Sequence, residues 1–177
     1  SDYSKDVSQD VSVEVEKMRF ANYEVEKSIQ QGNYFFTLVK VSRTKLFNEK
    51  YKEFELLDSA ISKQLNIINN KPILEQIQAL QNLYPKLNTA KKDAFILYTI
   101  KNNFDYAQNL MLYDNAIDKI NILKDKITIN VTTNEESKFF FNEIIQLLNE
   151  NKYKVSNTND DTQIKIKNVT RYSIAKS

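Results

Sequence analysis

Close pairs of carboxylates are the most chemically suggestive residues in this sequence: Glu135 with Glu136, and Asp160 with Asp161. Two carboxylates roughly 5 to 10 Å apart across a cleft are enough for glycoside hydrolysis, without histidine or cysteine. Sequence neighbours rarely face one another across a cleft, and Glu136 follows Thr133 at the spacing of a capping box. A hydrolase working by carboxylates alone is therefore an alternative for which no pair nominates itself. Asn157, Asn159 and Asp161 offer oxygen ligands at every second position, as a calcium loop does at its start. Such a loop needs Gly at its sixth position and a bidentate Glu at its twelfth; here those are Thr162 and Asn168. A solvated hairpin turn is the better account. Ser62 adjoins Lys63, but on an amphipathic helix and with no glycine-rich turn nearby to form an oxyanion hole.

The remaining catalytic repertoire is thin. The 177 residues contain no His, no Cys, no Trp and one Gly. That removes the side chain that titrates near neutral pH, the thiolate nucleophile and soft-metal ligand, and the glycine loops that cradle phosphate. No catalytic residue, cofactor or metal ligand is expected, and a binding or structural module is. The net charge of +2 is spread along the chain, and Lys91-Lys92, followed by Asp93, is the one basic doublet. Nucleic-acid binding needs a concentrated basic face, so nucleic acid is not expected as a partner. No apolar run approaches the roughly 18 residues of a membrane helix. The opening SDYSKDVSQD is polar and acidic, unlike a secretory leader.

Three stretches of different period must position whatever function there is. Residues 1–43 read as a strand-rich hairpin: Val11, Val13 and Val15 alternate with polar residues, the phase slips near Met18 and Phe20, and YFFTLVKV follows a turn at Gly32. Glu14, Glu16, Glu24 and Glu26 would guard its edge. Residues 44–126 read as helices. Ser42 or Thr44 caps a stripe running from Phe47 through Phe54, Ile61 and Leu65 to Ile68, and Asn69-Asn70 ends it. Pro72 starts a second helix that Pro85 stops; a third begins near Asn88 or Thr89 and breaks at Asn102-Asn103, and helix resumes through Leu110, Ile117, Ile120 and Leu123. Residues 127–177 read as a β-α-β-β unit. Its strands lie at Ile127–Val131, Tyr153–Val155 and Ile164–Ile166, and Val169, Tyr172 and Ile174 suggest one more. The expected class is α+β, with antiparallel strands from hairpin and tail and a helical layer or lobe between them. Val39, Val41, Phe54, Ile61, Leu65, Ile144 and Leu147 are expected in the core.

Two aromatic triplets bear on partners: Tyr34-Phe35-Phe36 and Phe139-Phe140-Phe141. Three successive rings cannot share one face of a strand or helix. Burial between lobes is the commoner fate; exposure would make them protein-binding residues.

The motif in residues 34–54 carries a resemblance. Phe35, Leu38, Val39, Val41, Arg43 and Leu46 sit in a strand reading aromatic-x-x-Leu-Val-x-Val-x-Arg before Leu and a long charged helix. This resembles the twenty-kilodalton envelope lipoprotein family of Helicobacter and Campylobacter relatives, which includes secreted proteins and amino-terminal parts of flagellar outer-ring proteins. The stretches VEVEKMRFANYEVEKS, ITINV and FFFNEIIQLLNENKYKV are similar to the family's remaining strands and second helix. The resemblance implies an exported, non-enzymatic protein, periplasmic, outer-membrane associated or secreted, that binds another protein. It also admits a flagellar or surface scaffold that self-assembles. Membrane contact would come only through a lipid anchor since removed, because the chain has no cysteine to acylate.

Overall fold

A computed structural model describes residues 2–156 and 162–166. The class is α+β. In chain order the elements are α1 (Asp2–Ala21), β1 (Tyr23–Gln31), β2 (Tyr34–Val41), α2 (Arg43–Ile68), α3 (Ile73–Ile100), α4 (Ala107–Asp125), β3 (Thr128–Thr133), a 3₁₀ turn (Glu135–Phe140), α5 (Phe141–Glu150), β4 (Lys154–Ser156) and β5 (Thr162–Ile166). The chain forms two compact units. One runs up to Lys71 and takes in Gln78–Ile117; the other combines Pro72–Ile77 with the described residues from Asp118 onward.

The first unit is a helical body built on α2. Ser42 caps that helix, its hydroxyl accepting from the Lys45 amide at 3.2 Å. Leu46, Phe54, Ile61 and Leu65 then line one buried stripe. Phe104, in the loop between α3 and α4, packs T-shaped against Phe47, Tyr51 and Phe54 at centroid distances of 5.7, 5.9 and 5.9 Å. Ile61, Leu87, Ala90, Ala94, Leu97 and Tyr113 have no exposed surface.

Two expected elements are not found in this unit, each for a physical reason. Residues 10–21 form helix, not strand. Val11 and Val15, four apart, pack with Leu46, Ile96 and Ile100, while Val13 points to water at 48% exposure. Alternating valines fit either period, and tertiary burial overrides β-propensity here. Glu14 and Glu16 accordingly pair along the helix with Lys17 and Arg19 and guard no sheet edge. The phase slip near Met18 marks the end of α1, where the Asn22 side chain donates to the Met18 carbonyl at 3.0 Å. Nor does Pro85 stop a helix. It lies inside α3, flanked by the buried Leu83 and Leu87. Burial on both sides outweighs the roughly 3 kcal/mol cost of an internal proline, so no third helix begins near Thr89.

In the second unit β3 is the central strand, in the order β4-β3-β5. Both neighbours run parallel to it, which corrects the expected antiparallel tail. The cause is the connection: a helical crossover between β3 and β4 returns the chain in the same direction. Ile127, Ile129 and Val131 are buried. Thr133 belongs to β3 and does not cap a helix; the chain continues as the 3₁₀ turn before α5. Helix α5 ends in a Schellman motif, with Tyr153 N–H donating to Leu148 and Lys152 N–H to Asn149, which sets Lys152 at φ 61. The expected turn at Asn157 to Asp161 and the strand at Val169, Tyr172 and Ile174 lie outside the described residues.

The core expectation holds for Phe54, Ile61 and Leu65, while Val41 and Ile144 are half-buried. Val39 and Leu147 are exposed, at 48% and 56%. Replacing Ile61 with Ala should therefore lower the unfolding free energy by about 2–5 kcal/mol. The same change at Val39 should cost less than about 1 kcal/mol. Urea denaturation of both variants checks this, and equal losses would contradict the placement of the core.

Candidate functional site: an uncovered hairpin

Residues Tyr23 to Val41 form a two-stranded antiparallel ribbon joined by Gly32 and Asn33. Gly32 has φ 64, and a glycine at the first central position is what a type II′ hairpin turn requires. A Cβ there would meet nothing within 4 Å, so backbone conformation alone demands the glycine. The Gln30 side-chain amide donates to the Gly32 carbonyl at 3.1 Å. Along the register, Tyr23 faces Val41, Val25 faces Val39, Lys27 faces Leu38, Ile29 faces Phe36 and Gln31 faces Tyr34. Glu26 is the extra residue of a bulge between Val25 and Lys27.

Alternation assigns the side chains to faces. One face carries Tyr23, Val25, Val39 and Val41 near the base, then Phe35 beside Ser28 and Thr37, whose hydroxyls lie 3.1 Å apart. The other carries Ile29, Tyr34, Phe36 and Leu38, with the Tyr34 and Phe36 rings 6.5 Å apart. Neither face is covered. Every residue from Tyr23 to Lys40 is exposed, with Tyr34 at 72% and Phe35 at 75%. No charged residue occurs between Lys27 and Lys40.

The expected burial of the aromatic triplets is thus not found. Tyr34, Phe35 and Phe36 lie on this ribbon in the first unit. In the second, Phe139 (74%) and Phe140 are exposed with ring centroids 4.7 Å apart, and Phe141 is half-buried. The structure adds Tyr23, Val25, Ile29, Leu38 and Val39 to the exposed apolar set of the hairpin. The signal for them was the strand YFFTLVKV, apolar on both faces: a two-stranded ribbon offers it nothing to pack against.

A partly buried polar network was also missed. Asp58 lies on the apolar stripe of α2 between Phe54 and Ile61, accepting from the Tyr113 hydroxyl at 2.5 Å and the Asn109 amide at 3.1 Å. Lys50 pairs with Asp93 at 2.8 Å and Glu53 at 3.2 Å. A carboxylate at a stripe position is a readable signal, but its partners are far away in sequence. Burial, then the hydrogen bond and charge of Asp58, push the Tyr113 phenol well above its ordinary value. Burial opposes the Lys50 charge, but the hydrogen bonds and charges of Asp93 and Glu53 outweigh it and raise that pKa. In the second unit Lys124 donates to the Asn151 carbonyl at 2.8 Å; burial and the charge of Lys152 lower its pKa.

Two shallow clefts lie on the first unit. One, of about 460 Å³, includes Arg43, Thr44, Asn48, Thr99 and Lys101 in its wall; the other, of about 450 Å³, includes Gln64, Ile67, Ala79, Leu83 and Lys86. Neither is lined by a carboxylate. Ser62 and Lys63 lie on α2, Ser62 half-buried and Lys63 exposed, and Glu135 is exposed 3.8 Å from Lys138. Lys91 and Lys92 are paired with Asp114 and Asp10. Asn157, Asn159, Asp160 and Asp161 lie outside the described residues. Among the described residues no three acidic side chains converge as metal ligands would, and no helix is long and apolar enough to cross a membrane.

Comparison with known proteins gives no match, whether to a family model, a curated protein or a solved structure.

The network makes stability depend on alkaline pH. Tyr113 stays protonated in the folded protein where the unfolded chain ionises, so its contribution is complete below about pH 10 and lost above it. Lys50 acts in the same direction: its pairing contribution is complete below about pH 10.5 and lost as pH rises through its raised pKa. Urea melts at rising pH should show unfolding free energy falling above about pH 10, and Tyr113→Phe should make that fall shallower. A wild-type profile flat through that range would contradict the network.

Proposed function

We propose that this protein is a non-catalytic binding module of the bacterial cell envelope or its secretions, and that the hairpin Tyr23–Val41 is its docking element. One observation carries the docking assignment: an uncovered ribbon with eight large apolar side chains in water. Isolated apolar side chains on a surface are ordinary, but a contiguous patch beyond a few hundred Å² marks an interaction site. Those eight side chains, four on each face of the ribbon, present roughly 500 Å² per face, at the areas typical of aromatic and aliphatic residues. An extended ribbon with free strand edges suits strand addition, in which main-chain hydrogen bonds supply affinity and alternate side chains supply selectivity. The envelope assignment is supported by the resemblance of residues 34–54, and Phe139 and Phe140 offer a smaller apolar contact.

The test separates folding from binding. Phe35 is three-quarters exposed, so Phe35→Ser should shift the stability of the helical body by no more than about 0.5 kcal/mol. It should weaken capture of the envelope partner about tenfold or more, as loss of an aromatic anchor does. Pull-downs from envelope extract with wild type and variant, alongside thermal melts, check this; equal capture by both would contradict the docking assignment. Fractionation of the native cells should place the protein in envelope or medium, and recovery only from cytoplasm would overturn the envelope assignment.

A further inference from the structure

We propose that the outer edge of β2 pairs antiparallel with the same edge of a second copy, about a two-fold axis at Thr37, making a four-stranded sheet. The inference rests on the hairpin being the docking element and names its occupant.

Two-stranded ribbons are marginal in water, and three or more strands are needed for independent stability. This ribbon has one edge suited to extension. The β1 edge carries Glu24, Glu26 and Lys27 and is kinked by the bulge at Glu26, the devices that protect a strand from pairing. The β2 edge is regular and has one charge, Lys40. A two-residue loop makes Gln31–Tyr34 the hydrogen-bonded pair next to the turn, and such pairs alternate along an antiparallel ladder. Phe35, Thr37 and Val39 therefore direct their N–H and C=O groups outward, unpaired by β1.

Self-pairing about Thr37 uses all three. Thr37 exchanges hydrogen bonds with Thr37 of the second copy, and Phe35 with its Val39. Between them Phe36 lies beside its Leu38, and Tyr34 beside its Lys40. Paired residues stay on the same face, apolar side chains meet apolar ones, and the lone charge of the strand meets an aromatic ring, a favourable neighbour for an ammonium. No like charges oppose each other across the axis, which is the condition for a strand to pair with itself. The pairing joins the apolar rows of the two hairpins on each face into one continuous row across the four strands.

The 177 residues contain no cysteine, so single cysteines report the register directly. In sedimentation equilibrium the wild type should move from monomer to dimer mass as concentration rises. Thr37→Lys should weaken dimerisation at least tenfold by setting two ammonium groups at the axis. Thr37→Cys should oxidise to a linked dimer, and Gln30→Cys on β1 should not. A wild type that stays monomeric overturns the inference, as does a Thr37→Lys variant that dimerises like wild type or cross-linking equally from Gln30→Cys. If that monomer sediments with phosphatidylglycerol vesicles, the arm serves a lipid surface and the self-pairing is wrong. If it still captures an envelope protein through Phe35, self-pairing falls and the docking element stands. If Phe35→Ser and Thr37→Lys match wild type in capture and in mass, both fall.

Discussion

The buried stripe of α2 is the constraint on which the first unit depends. Leu46 at its start gathers Val11 and Val15 of α1 with Ile96 and Ile100 of α3. Phe54 packs T-shaped against Phe104 of the loop before α4. Each such side chain contributes roughly 1.5–3 kcal/mol by leaving water, enough to decide whether a helix of modest propensity forms. Valine-rich α1 is a clear beneficiary, since its strong helix formers gather between Glu14 and Ala21 while Val11, Val13 and Val15 favour a strand. The polar groups embedded beside the stripe fit the same frame. The buried Asp93 and the half-buried Asp58 would be costly if unpartnered, and each is met by donors from another helix. Their pairing fixes which faces of the helices meet, a specificity that apolar contacts alone leave loose.

Against that body the hairpin is an appendage, joined where α1 ends and α2 begins. Val41 reaches the cluster around Leu46, Ser42 caps α2, and from Lys40 outward nothing covers the strands. The chain thus separates two tasks that most small domains combine: burial is concentrated in the helices, while a strand of high β-propensity, apolar on both faces, is held in water. A sequence under pressure only to fold would place charges on such a strand. Its uncharged run from Ser28 to Val39 is the sequence feature on which the proposed docking role rests.

Much of this was legible. The start and end of α2 at Ser42 and Asn69, the turn at Gly32, the break at Asn102-Asn103 and the tail strands follow from local chemistry, and local chemistry was enough. The failures share one origin. Val11, Val13 and Val15 fit a strand until Leu46 and Ile96 are known to wait for two of them. Pro85 reads as a stop until Leu83 and Leu87 are both seen to be buried. Parallel pairing in the tail depends on how the chain crosses between β3 and β4, which no residue type announces. For the site, the aromatic triplet at Tyr34 was visible but its surroundings were not. Sequence shows that Val39 is apolar; only the fold shows that nothing lies over it.

Residue-resolved amide hydrogen exchange of the dilute wild-type protein tests the central claim most directly, because protection reports whether a strand is paired and covered. On this account the amides of Phe35, Thr37 and Val39 exchange orders of magnitude faster than those of Ile61 and Leu97 in the dilute protein. They slow once the arm is occupied. Protection of these three amides equal to that of the helical core, in dilute protein with nothing bound, would mean that the hairpin is covered and the account is wrong.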